Sequence, residues 1–77
     1  MFENGQLVIG KAEDKPKKLL MVLSQENGDD IHFKGIVLKV FNPDGEIDVE
    51  EEAGYISTYW VMEEYESTTW EAVKALL

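Results

Sequence analysis

With 77 residues, no cysteine and a single histidine, the chain reads as one domain, 1–77, whose core must come from apolar side chains alone. Disulfide frameworks, thiolate zinc sites and multi-histidine metal sites are excluded within it. The net charge of −9 and the absence of arginine argue against direct nucleic-acid binding, where a bidentate guanidinium is the preferred reader of phosphate and base edges.

That charge is unevenly placed. Residues 1–40 hold six lysines against six acids, whereas residues 41–77 hold ten acids against Lys74 alone. An acidic half of this kind suits a basic partner by charge complementarity. The longest apolar run falls far short of the roughly 20 residues a membrane span needs. The opening Met-Phe-Glu-Asn-Gly lacks the basic-then-apolar pattern of a signal peptide. A soluble protein of the cytoplasm is the expectation.

In chain order, residues 6–9 (Gln-Leu-Val-Ile) predict a short strand closed by Gly5 and Gly10, followed by a charged loop over 11–18 that contains Pro16. A strand over 18–24 comes next, and its run Leu19-Leu-Met-Val-Leu23 implies burial on both faces. Lys17 and Lys18 beside it read as gatekeepers against aggregation. Asn27-Gly28 is a tight-hairpin signal.

The longest strand is expected over 31–41. Ile31 and Phe33 share a face, and after Gly35 the inward set shifts to Ile36, Leu38 and Val40, with Val37 and Lys39 outward. Such a change of phase at glycine predicts a β-bulge there. Asn42-Pro-Asp-Gly45 is a type I turn signal. Residues 46–52 fit either an extended edge, with Glu46, Asp48 and Glu50 on one side, or a loop.

A strand rich in β-branched and aromatic residues is expected over 56–63. On it Ile56, Thr58, Trp60 and Met62 share one phase, leaving Ser57, Tyr59, Val61, Glu63 and Tyr65 on the other. The chain closes with a helix over 68–77. Thr68 and Glu71 form its capping box, and Trp70, Val73 and Leu77 form its apolar stripe. The sum is a mainly β chain with one C-terminal α-helix: a small bent antiparallel sheet or SH3-like barrel of four to five strands, or alternatively a flat sheet covered by the helix.

The order Phe33-x-Gly35-x-Val37, then Gly54-x-x-Ser57-x-x-Trp60-x-x-x-x-Tyr65, resembles a pattern in small uncharacterised SH3-like barrel proteins of phages and bacterial mobile elements. The resemblance covers roughly residues 18–66 and leaves out the acidic stretch 46–52 and the helix. It implies a fold and an origin and brings no activity.

Catalytic chemistry finds little support. His32 falls on the outward phase of its strand beside Lys34, and Ser24, Ser57 and Ser67 read as strand end, strand face and helix start. Among sixteen acids nothing marks a desolvated pair. Asp44-x-Glu46-x-Asp48-x-Glu50 offers alternate oxygen ligands but lacks the glycine and bidentate glutamate of an EF-hand loop. A solvated acidic edge explains it as well. No glycine-rich phosphate loop precedes a helix.

The expectation is therefore a non-catalytic acidic binding protein without a cofactor. It would occupy a basic, nucleic-acid-binding surface of a partner protein, as phage-type inhibitors and DNA mimics do. Its candidate contact residues are Glu46, Asp48, Glu50, Glu51, Glu52, Tyr59, Glu63 and Glu64. Two alternatives stand beside it. One is a small-molecule or nucleotide-binding barrel using Lys11, Lys15, Lys17, Lys18, Lys34 and Lys39; the other is a self-assembling structural subunit.

Overall fold

The computed structural model describes residues 2–12, 17–25, 28–41, 45 and 48–77. Five antiparallel strands form one sheet: β1 (Leu7–Gly10), β2 (Lys17–Ser24), β3 (His32–Phe41), β4 (Ile56–Val61) and β5 (Tyr65–Ser67), in the order β4-β3-β2-β1-β5. A short helix, α1 (Trp70–Lys74), follows. The mainly β class with one C-terminal helix agrees with the sequence reading. Among the described residues no helix is long and apolar enough to cross a membrane.

The sheet buries both faces, as the run Leu19–Leu23 requires of its central strand β2. One face gathers Val8, Leu20, Val22, Phe33, Val37, Trp60 and Tyr65; the other gathers Leu7, Ile9, Leu19, Phe41 and Val73. Period-two alternation on paired strands generates both sets. Val8 stands opposite Leu20 on the first face, while Leu7 and Ile9 stand opposite Met21 and Leu19 on the second. Lys17 and Lys18, at the start of β2, pair with Phe41 and Val40 of β3, beyond the stretch of β2 that pairs with β1.

Strand β3 departs from its expected phasing. Phe33, Gly35 and Val37 all point to the first face, and Val37 is fully buried rather than outward. The extra residue on β3 is Leu38, since Leu19 faces Lys39 whereas Leu20 faces Val37. Two further bulges lie on the neighbours of Gly35. Leu23 is the extra residue on β2, and β4 carries one extra residue between Ser57 and Trp60. Bulges on both sides of one position sharpen the local twist, which bends the sheet around Gly35.

What the glycine supplies is room. A Cβ there would lie 2.9 Å from Cε2 of Phe33 and 3.3 Å from both Cδ1 of Trp60 and the carbonyl oxygen of Met21. The space it leaves admits the Trp60 indole, whose Nε1 donates a buried 2.9 Å hydrogen bond to the Gly35 carbonyl.

The bulge on β4 also changes which residues face inward. Trp60 is buried as expected, but Ile56 and Thr58, assigned to the same phase, are exposed. The strand stops at Val61 because Met62–Glu64 winds into a 3-10 turn, and the chain re-enters the sheet as β5. Ile31, expected to share a face with Phe33, is exposed and precedes β3.

The helix is shorter than expected. Its cap is Thr69, whose Oγ1 accepts from the Ala72 amide at 3.2 Å; the proposed Thr68–Glu71 capping box does not form, because the third position after the actual cap is alanine. Of the apolar stripe only Val73 is buried; Trp70 is 59% exposed and Leu77 77%. The five-residue helix meets the second face of the sheet through Val73 alone among its buried residues, and the bulged sheet is bent rather than flat. The turn signal at 42–45 falls largely outside the described residues, with Gly45 at φ +76°. Asn27 is likewise outside, while Gly28 has the positive φ a tight turn uses.

Replacing Gly35 by alanine is expected to destabilise the protein by about 1–3 kcal/mol, because the sheet must shift to admit one methyl group. Urea unfolding of wild type and Gly35→Ala, followed by tryptophan fluorescence, checks this. An unchanged midpoint would contradict the packing described.

Candidate functional site

A cavity of about 580 Å³ opens at one end of the sheet, lined by Gly10, Lys11, Ala12, Lys18, Glu51, Glu63, Glu64 and Tyr65. Five elements build it, with Lys18 coming from β2. The end of β1 is tied to the turn Met62–Glu64 by the Lys11 amide, which donates to the Glu64 carbonyl at 2.9 Å. Gly10 pairs with Tyr65, which places the start of β5 beside the same wall.

The opposite wall is the 3-10 turn Val49–Glu51, closed by the Glu51 amide donating to the Asp48 carbonyl at 2.8 Å. That turn is anchored to β3. The Val37 amide donates to the Tyr55 carbonyl, and the Gly54 amide donates to the Val37 carbonyl, at 2.9 and 2.7 Å. Gly54 takes φ +93° to make this turn.

Three of the sequence-predicted contact residues, Glu51, Glu63 and Glu64, thus meet at one opening although eleven residues separate Glu51 from Glu63. Glu50 lies close enough to act on Tyr65 electrostatically. Asp48 and Glu52 are exposed at the ends of the same turn. Glu46 lies outside the described residues, as does Asp44 of the proposed calcium run. The stretch from Val49 to Glu51 is a turn, not an extended edge. Among the described residues no three His, Asp or Glu side chains converge to hold a metal.

Tyr65 does not keep the phase of Tyr59. It is 7% exposed, packed edge-on against Trp60 and Phe33 with centroids 6.1 and 5.7 Å apart. The 3-10 turn shifts it out of the phase of Tyr59 and onto the core face. Burial, followed by the negative charge of Glu64 and Glu50, pushes its phenol well above the ordinary range, so it remains a proton donor at any physiological pH. No hydrogen-bond partner holds its hydroxyl among the described residues.

Tyr59 stands elsewhere. It is 77% exposed and lines a second hollow of about 280 Å³ with Ser24, Asp29, His32, Phe33, Lys34 and Thr58. The lysines are divided too. Lys11 and Lys18 reach the first cavity and Lys34 the second, Lys39 lies over the Phe41 ring, and Lys15 is outside the described residues. No single groove collects them.

In the second hollow, His32 is half-buried rather than fully solvated, its Nδ1 3.4 Å from Oδ2 of Asp29 and its ring edge-on to Tyr59. No other lysine or histidine nitrogen lies within 4 Å of a carboxylate oxygen among the described residues. Asp29 is structural in the first instance. Its Oδ1 accepts from the amides of Ile31 and His32 at 2.9 and 3.0 Å, closing the turn into β3. Ser24 borders the same hollow, but no hydrogen bond joins it to His32. The remaining serines have local tasks. Ser57 accepts from the Tyr59 amide, and Ser67, in β5 rather than at the helix start, accepts from Gln6.

Sequence reasoning located the carboxylates and missed Lys11 and Lys18 as their neighbours. The pairing of Gly10 with Tyr65 is what joins them, and no local pattern announces it. No family model, no curated protein and no solved structure gives a significant match to this chain.

The backbone hydrogen bonds from His32 and Ile31, and secondarily the His32 side chain, hold the Asp29 carboxyl below its ordinary value. Its contribution to stability is therefore fully present above the unfolded carboxylate pKa of about 3.9, and is lost as pH falls through the lower folded value. Asp29→Asn keeps the acceptor oxygen without the titration. The difference in melting temperature between wild type and Asp29→Asn should change as the pH falls below about 4. A pH-independent difference would remove this role.

Proposed function

We propose that the protein is a non-catalytic acidic binding protein that occupies a basic, nucleic-acid-binding surface of a partner protein, in the manner of phage-type inhibitors and DNA mimics. The observation that carries the reading is the gathering of Glu51, Glu63 and Glu64 at one opening, flanked by exposed Glu50, Glu52 and Asp48, with no lysine within ion-pairing distance of any of them among the described residues.

Carboxylates that fold together without counter-ions repel one another, and a basic partner relieves that cost. The mechanism is steric occlusion with electrostatic steering. The likeness to small phage and mobile-element proteins supplies the biological context, and the ring contact between Trp60 and Tyr65 across the 3-10 turn is in keeping with a small barrel.

A second reading, a barrel that binds a small phosphorylated ligand, draws on Lys11 and Lys18 at the same opening. Three carboxylates against two ammonium groups there favour the first.

Affinity capture from a host lysate at low and high salt, with the retained protein identified and its binding to DNA measured, tests the proposal. A basic nucleic-acid-handling protein held at low salt, released by high salt and displaced from DNA is the expected outcome. Replacing Glu50, Glu51 and Glu52 by lysine should weaken that binding about tenfold or more with the fold retained. Undiminished binding by the triple variant would overturn the proposal, and so would thermal stabilisation by a nucleotide with no partner captured.

A further inference from the structure

Tyr65 is 7% exposed and lines the cavity, and no hydrogen bond within the described residues engages its hydroxyl. The hydroxyl is not one of the side-chain atoms sealed off without a partner, so it is open to a ligand in the cavity. Glu51, Glu63 and Glu64 line the same cavity as carboxylate acceptors, with no counter-ion within 4 Å among the described residues.

Behind Tyr65, the ring of Trp60 already holds a cation. Nζ of Lys18, itself a cavity-lining residue, lies 5.4 Å from the indole centroid. Carboxylates, a phenol oxygen and an aromatic face have one preferred ligand in common, a planar delocalised cation. A guanidinium offers five N–H donors in a rigid fork and stacks on aromatic rings, which an ammonium group matches less well. The volume of about 580 Å³ admits such a side chain together with adjoining backbone.

We infer that this cavity receives an arginine side chain presented by an extended segment of a partner protein, with Lys18 standing in for that cation in the free protein. The inference rests on reading this end of the molecule as a surface for basic partners, and it adds a ligand and a place. The competing assignment, an anion such as phosphate held by Lys11 and Lys18, makes the opposite prediction at Lys18. Removing that ammonium group frees the ring face and deletes a like charge for an arginine ligand, but deletes a binding contact for an anion.

The test is an NMR titration of isotope-labelled protein with acetyl-Gly-Arg-Gly-amide and, separately, with inorganic phosphate. It compares wild type, Lys18→Met, Tyr65→Phe and Glu64→Gln, each first shown by thermal melt to fold. The arginine peptide should shift the signals of Gly10, Glu64, Tyr65 and the Trp60 indole. Lys18→Met should bind it about three- to tenfold more tightly, because methionine keeps the apolar stem without the charge. Tyr65→Phe and Glu64→Gln should each bind it about three- to tenfold more weakly. If Tyr65→Phe fails to fold, Glu64→Gln and Lys18→Met still decide the matter.

Cavity shifts with phosphate and none with the peptide would overturn the inference. So would weakened or unchanged peptide binding by Lys18→Met. If Tyr65→Phe and Lys18→Met leave peptide binding unchanged while lysines at positions 50–52 still abolish partner capture, the arginine receptor falls and the acidic-surface reading stands. Peptide binding with the expected variant pattern, but no basic partner captured at low salt, upholds the receptor and removes the inhibitor reading.

Discussion

The structure turns on the contact between Trp60 and Gly35. One of the two tryptophans enters the sheet beside a glycine, which leaves it the room. Its indole N–H is satisfied by the Gly35 carbonyl at 2.9 Å, so its burial leaves no donor orphaned. Phe33 and Tyr65 then pack edge-on around it, and Phe2 closes on Phe33 from the other side. Rings in these T-shaped arrangements add stabilisation beyond the area they bury. The three bulges follow from the same constraint, since a sheet that wraps an indole this closely must bend, and an extra residue on one strand is how antiparallel pairs do so.

Wrapping the sheet around Trp60 also decides where the charges meet. The 3-10 turn Met62–Glu64 carries the chain from one end strand of the sheet to the other, and it projects Glu63 and Glu64 while returning Tyr65 to the core. The loop held by Val37 brings Glu51 to the same place from the other side. The acidic opening is thus a by-product of core packing as much as of composition. A rigid hydrophobic cluster holds its floor, and exposed turns carry its carboxylates. Function carried on turns above a fixed aromatic base is consistent with the proposed binding role, because the base need not reorganise when a cation arrives.

Much of the fold was legible in the residues. Strands around Leu19–Leu23 and Phe33–Val40, the concentration of acid after residue 41 and a terminal helix capped by threonine all follow from local pattern and chemistry. The errors share one cause. Reading Ile36, Leu38 and Val40 as one inward set, Ile56 and Thr58 as sharing the face of Trp60, and Leu77 as part of a buried stripe each extended a local period past a point where tertiary packing broke it. The bulge at Leu38, the extra residue of β4 and the fifth residue of α1 are those points.

The sequence by itself determined that the chain is a mainly β domain, acidic in its second half, with a two-faced central strand and no means of building a thiolate or multi-histidine metal site. These properties depend on which residue types occur and on spacings of two to four positions, which the backbone reads locally. Tertiary structure alone decided that Glu51 meets Glu63 and Glu64, that Tyr65 lies buried beneath them, and that Lys18 rests over Trp60. Those meetings depend on strand register and bulge position. Both are set by how an indole, a phenyl ring and a glycine share one volume, a condition written across residues 25 positions apart and in no single segment.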